Sequence, residues 1–126
     1  MFSHIHFQSL PTTDIARATA FWRDTMGFEV EVDAPYGESR WVMLRLPGAE
    51  TLLHLDHVDA IPEQQKPALV LVSPDVDAAC EALKSRGIEI LQGPDAAQWE
   101  PSTRWAMIHD SEGNLILLQT IGAAGV

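Results

Sequence analysis

The strongest constraint on this chain is that it is written twice. Asp14 opens a run in which Ile15, Ala18, Phe21, Trp22 and Met26 recur at helical spacing until Gly27 ends it, with Thr12 and Thr13 adding N-cap chemistry. Asp75, after Ser73 and Pro74, opens a second such run: Val76, Ala79, Cys80 and Leu83 fall on one face and Gly87 stops it. That face assigns Cys80 to the core. Each glycine leads into a short alternating stretch, Phe28-Glu29-Val30 and Ile88-Glu89-Ile90, both predicted as strands. Arg40-Trp41-Val42-Met43-Leu44 is then matched by Arg104-Trp105-Ala106-Met107-Ile108. A turn follows in each half, Pro47 to Glu50 and Asp110 to Asn114, and then a last apolar strand, Thr51 to Asp56 and Leu115 to Thr120. One more strand precedes each helix, Ile5 to Leu10 and Ala68 to Val72.

Strand, helix, strand, strand, strand, twice over, predicts an α+β protein of two tandem βαβββ modules. The modules are residues 1–58 and 67–126, joined by a polar, proline-containing linker at 59–66, and at 126 residues they make one domain together. One asymmetry stands out. Asp14 lies thirteen residues before Gly27, whereas Asp75 lies twelve before Gly87. The first strand therefore has two registers, one turning Phe7 and Ser9 to a given face and the other His6 and Gln8, because a one-residue slip exchanges the faces.

Charge narrows the partners. Eight Lys and Arg against eighteen Asp and Glu give −10, which argues against nucleic acid, whose binding rests on clustered cations. Both halves are acidic, so solubility is the plain meaning. Glu29, Glu31 and Asp33 alternate with Val30 and Val32, which predicts three carboxylates on one strand face, either solvated or forming a rim for a cationic ligand. Arg40 and Arg104 occupy equivalent positions and are expected in structural ion pairs. No apolar run is long enough for a membrane span and the first residues lack a signal-peptide pattern, so the expectation is a cytoplasmic protein without membrane partners. The single Cys80 agrees with that. No Gly-x-Ser-x-Gly elbow, phosphate-binding glycine loop or paired-cysteine motif is present.

Four segments carry a resemblance: Leu10-Pro11-Thr12-Thr13-Asp14, the stretch from Ala20 to Phe28, Asp75-Val76-Asp77-Ala78-Ala79, and Asp110-Ser111-Glu112-Gly113-Asn114-Leu115-Ile116. Together they resemble the vicinal oxygen chelate superfamily, which includes glyoxalase I, bleomycin-resistance and fosfomycin-resistance proteins and extradiol dioxygenases. The resemblance implies half-open curved sheets, a helix on each convex side and a ligand cup on the concave side. Function does not follow from it, since one scaffold serves lyases, dioxygenases and binding proteins.

Within that frame, alternation sorts the side chains. Val42, Leu44 and Leu46, with Leu53 and Leu55, face the helix. Trp41, Met43, Arg45, Leu52, His54 and Asp56 face the cup, as do Trp105, Met107, His109, Leu115, Leu117 and Gln119 in the second half. Trp99 sits in a polar loop where relatives place an aromatic beside the cup. The resemblance also implies metal ligands on the first and last strands of each repeat, and those positions are Phe7, His54, Ala68 and Leu117; only His54 is a ligand type, so no metal cofactor is expected.

The expected activity is therefore metal-independent binding of a small aromatic or amphipathic molecule, in the manner of bleomycin-resistance-like proteins. Phe7, Trp41, Met43, Trp99, Trp105, Met107 and Leu117 would supply apolar contact, and Arg45, His54 and Asp56 would orient the ligand. The alternative is a lyase or dioxygenase with one divalent metal ion on His6 and His54. A third reading is a structural homodimer without ligand. A homodimer is expected in any case, because cups of this family commonly close across a subunit interface.

Overall fold

Matching caps fix the two helices. Asp14 and Asp75 both adopt extended backbone, and their carboxylates accept from the N–H of Arg17 and of Ala78, each at 3.0 Å. Thr12 Oγ1 and Ser73 Oγ accept in turn from the N–H of Asp14 and Asp75. The computed structural model describes residues 1–121. Its elements are β1 (Phe7–Thr12), α1 (Ile15–Ala20), a π-helical segment (Phe21–Thr25), β2 (Glu29–Tyr36), β3 (Ser39–Arg45) and β4 (Leu52–His57), then β5 (Leu69–Val72), α2 (Val76–Ser85), β6 (Gln92–Ala96), β7 (Arg104–His109) and β8 (Leu115–Gln119). The first sheet runs β1-β4-β3-β2 and the second β5-β8-β7-β6. In each, the first strand of the half lies parallel to its last, and the other pairings are antiparallel.

The extra residue of the first helical interval is absorbed by the π segment, where the Met26 N–H reaches back to the Phe21 carbonyl at 3.1 Å. The run from Ile15 to Met26 is thus not one α-helix. Its wider turn still buries Phe21 and Trp22, and Trp22 meets Phe21 and Phe28 edge-on, at ring separations of 5.4 and 5.1 Å. Leu10, Ala18, Val42, Leu44, Leu53 and Leu55 complete the core beneath α1. Beneath α2 lie Ala106, Ile108, Ile116 and Leu118, against Val76, Cys80 and Leu83. Cys80 is buried and burial pushes its thiol pKa up, as suits a core residue.

Three expectations are corrected. The second strand of the second half is not Ile88 to Ile90 but Gln92–Ala96. Gly87, at φ 84°, terminates α2, and the Ile88 N–H is spent on the Leu83 carbonyl. Pro94 falls inside the real strand because β6 is a sheet edge with a register shift, where a missing donor is tolerated. Second, Glu29, Glu31 and Asp33 do not share a face. A bulge between Val30 and Val32 sets Glu29 opposite Arg45 and Asp33 opposite Val42, on the other side of the sheet. Third, β1 begins two residues later than Ile5 and runs to Thr12.

The chain divides into two compact units, Met1–Glu63 with Ser111–Gly113, and Gln64–Asp110 with the residues from Asn114. Part of the expected linker is therefore structural: the Gln64 amide donates to Asn114 Oδ1 at 2.7 Å and accepts from the Leu115 N–H at 2.7 Å. In the first unit the Glu112 side chain is fully buried. It accepts from Thr12 Oγ1, the N–H groups of Thr13 and Asp14, and the Arg17 guanidinium at 2.6 and 2.9 Å. Burial alone would raise its pKa, but Arg17, Thr12, Ser111 and the Thr13 N–H prevail and hold it at about 2. Glu112 thereby satisfies donors at the start of α1 that an α-helix leaves open.

Candidate functional site

In the first unit the strand register decides what faces what. Ser9 pairs with His54, His54 with Met43 and Met43 with Val32, so these side chains share a face. Phe7 lies on the same face and meets His54 edge-on at 5.4 Å and Trp41 at 6.0 Å. The register that turned His6 and Gln8 inward is thus excluded; His6 is exposed, and its ring touches only Phe7 among the aromatic contacts of the described residues. Trp41 and His54 stack, with centroids 4.0 Å apart and planes at 32°. Ser9 Oγ and His54 Nδ1 share a hydrogen bond of 2.9 Å. Met43 and His54 are only 5% and 6% exposed, and Phe7, Trp41 and His54 pack on one another across this face.

The polar groups of this face are committed in different degrees. Burial pushes the His54 pKa below its ordinary value, against an opposing pull from the Asp56 carboxylate, which leaves the imidazole neutral at pH 7. Asp56 itself is exposed. The Arg45 guanidinium donates to Glu31 at 2.8 Å and to the Ala49 carbonyl at 3.2 Å, which ties it to the bulge and the turn. Arg40 and Arg104 are both ion-paired, with Asp33 and Asp77. A cavity of about 280 Å³ lies beside Tyr36, Trp41, His54 and Asp56.

The equivalent face of the second unit is open. Val70 pairs with Leu117, Leu117 with Met107, and Trp105 with Gln119. Where the first unit has Phe7 and His54, this one has Ala68 and Leu117, and neither carries a ring to fill the space. A cavity of about 530 Å³ results, with Trp105, Met107, Leu117 and Gln119 as its floor and Asp95, Ala96, Gln98 and Trp99 as its wall. Trp99 is 80% exposed. Its loop is nevertheless anchored: the Ala97 N–H donates to the Thr103 carbonyl at 2.8 Å, and the Ser102 hydroxyl and N–H hold the Glu100 carboxylate and lower its pKa. Asp95 and Gln98 lie beyond the strand expected at Ile88 to Ile90, and the Gly93-Pro94 pair, where the register of β6 shifts, is the sequence signal that points to them.

The four positions that the family resemblance implies for metal ligands are Phe7, His54, Ala68 and Leu117. Three carry only carbon, and His54 Nδ1 is engaged by Ser9. Among the described residues no three His, Cys, Asp or Glu side chains are grouped to hold an ion. This donor set does not fit a catalytic divalent metal.

Comparison with known proteins agrees with the architecture. The family model of the Glyoxalase/Bleomycin resistance protein/Dioxygenase superfamily matches residues 2–118. The chain is 30% identical over 109 residues to the uncharacterized protein YetH of Bacillus subtilis (strain 168), covering 84% of this chain and 88% of that one. It superposes on TnmS3, an antibiotic binding protein from Streptomyces sp. CB03234, with TM-score 0.77 and 35% identity over 94% of this chain and 96% of that chain. A superfamily member from Sphaerobacter thermophilus DSM 20745 gives TM-score 0.83 at 25% identity, covering 95% and 98%. Among the described residues no helix is long and apolar enough to cross a membrane.

Proposed function

The chain belongs to the glyoxalase/bleomycin resistance protein/dioxygenase superfamily, and from that premise we propose that it binds a small aromatic or amphipathic molecule in the cavity of its second unit, without a catalytic metal. The observation that carries this reading is Trp99, an indole 80% exposed on an anchored loop and facing the same cavity as Trp105. Two indoles, Met107 and Leu117 offer flat apolar surface, while Asp95, Gln98 and Gln119 supply the few polar contacts that orient a ligand. The volume of about 530 Å³ falls within the range of small-molecule sites. The description of TnmS3 as an antibiotic binding protein supports the same class of ligand.

Tryptophan fluorescence against a panel of aromatic and cationic compounds, bleomycin included, tests it. A saturable change should be weakened about tenfold or more in Trp99→Ala and in Trp105→Ala, as for other aromatic anchors. Binding that ignores both substitutions, or silence across the panel, would sink the reading. Metal analysis of the purified protein checks the other half: a stoichiometric metal lost in His54→Ala would replace binding by metal chemistry. Exposed Val70 and Val72 on the edge strand β5 support the homodimer reading, which sedimentation decides.

A further inference from the structure

We propose that the cavity at the end of the first sheet binds a small organic cation, an ammonium or quaternary ammonium group seated between Tyr36 and Trp41 with Glu38 and Asp56 as countercharge. It shares no lining residue with the cavity of Trp99 and Trp105. Tyr36 ends β2 and Trp41 lies near the start of β3, so the hairpin brings their rings to 5.6 Å with planes at 53°, two walls of an open corner. His54 stacks on Trp41 and backs that wall. Tyr36 is 66% exposed, so core packing does not account for its position. Aromatic faces attract cations through their quadrupole, most strongly when a ring pair and a carboxylate converge.

The charges around the corner point the same way. Glu38 and Asp56 both line the cavity, both are exposed, and among the described residues neither takes part in a salt bridge. Arg40 also lines it, but its guanidinium is held by the carboxylate and carbonyl of Asp33. Burial lowers the pKa of His54, which favours its neutral form, and His57 lines the cavity as well. Two uncommitted carboxylates therefore face the cavity, which disfavours an anion. A volume of about 280 Å³ suits a head group rather than a drug-sized molecule.

Calorimetry with choline chloride, against dimethylbutanol, its uncharged isostere with carbon in place of the quaternary nitrogen, tests the proposal. Choline should bind saturably, and more weakly as sodium chloride is raised, while the isostere gives no saturable heat. Tyr36→Ala should weaken choline about fivefold or more, and Glu38→Gln with Asp56→Asn by a similar factor. All three side chains are exposed, so these variants keep the fold, and Trp99→Ala should leave choline binding unchanged. Absence of saturable heat, equal binding of the isostere, or sensitivity to Trp99→Ala in place of Tyr36→Ala would each overturn it.

Discussion

The two sheets present the same face to different ends. Trp41 and Trp105 are equivalent, as are Met43 and Met107, yet Trp41 packs against Phe7 and His54 while Trp105 and Met107 floor a cavity of about 530 Å³. The difference comes from two edge and closing-strand positions, Phe7 against Ala68 and His54 against Leu117. Ring-sized differences thus distinguish the two faces while the strand order stays constant. The halves differ again at their final turns. Glu112 is buried among donors of the first unit, whereas Glu50, on the corresponding turn of the first half, is 76% exposed and meets only the His4 ring at 3.6 Å among the salt bridges of the described residues.

The sharpest way to break that second contrast is to remove both carboxylates. Glu112→Ala should cost about 3 kcal/mol in urea denaturation, because it strands Thr12, Arg17 and two N–H donors, while Glu50→Ala should cost under about 0.5 kcal/mol. Equal losses would show that the buried clasp is not special. The same group has a pH signature. Its pKa is depressed on folding to about 2 from an ordinary 4.5, so its contribution is complete above pH 4.5 and is lost as pH falls toward 2. Glu112→Gln should flatten stability across that window.

A smaller effect separates two glycines with similar positive φ. A Cβ on Gly93 would stand 2.5 Å from the Trp105 carbonyl oxygen, whereas one on Gly27 meets nothing within 4 Å. Gly93→Ala should therefore cost about 2–3 kcal/mol and Gly27→Ala about 1 kcal/mol in thermal or urea unfolding. The smallest change converts the first face toward the second. His54→Leu should alter stability by about 1 kcal/mol or less at pH 7, since one neutral hydrogen bond with exposed Ser9 is exchanged for apolar packing. Its pKa is depressed in the fold, so His54 withdraws stability as pH falls below 6.5, and the Leu variant should lose that dependence. An imidazole titrating at or above 6.5 by NMR would contradict the buried, neutral ring.

Most of the fold was legible because duplication offers two chances to read each element. The caps at Asp14 and Asp75, the Arg-Trp-x-Met strands and the closing strands needed only local chemistry. What failed was competition between elements and pairing across strands. Ile88-Glu89-Ile90 has the alternation of a strand, but helix termination claims the Ile88 N–H first. Glu29, Glu31 and Asp33 alternate perfectly until a bulge, invisible in composition, turns the strand over. For the candidate site, period two puts Trp105, Met107 and Leu117 on one face, as the strand register has them, and the expectation for Trp99 rests on the family resemblance. That Phe7, Trp41 and His54 would pack on one another, leaving the second face open, depends on ring positions across three strands, which no single segment encodes.

A ribosome delivers Thr12 a hundred residues before the glutamate that clasps it. At ordinary elongation rates the nascent first unit waits roughly 5–20 s with only its local caps, Thr12 Oγ1 and the Asp14 carboxylate, at the start of α1. Its sheet and aromatic core are already encoded in the emerged chain, but the Glu112 clasp on its helix N-terminus waits for the turn between β7 and β8. The unit whose strands are synthesised first is thus closed by a turn that belongs to the second half of the duplication.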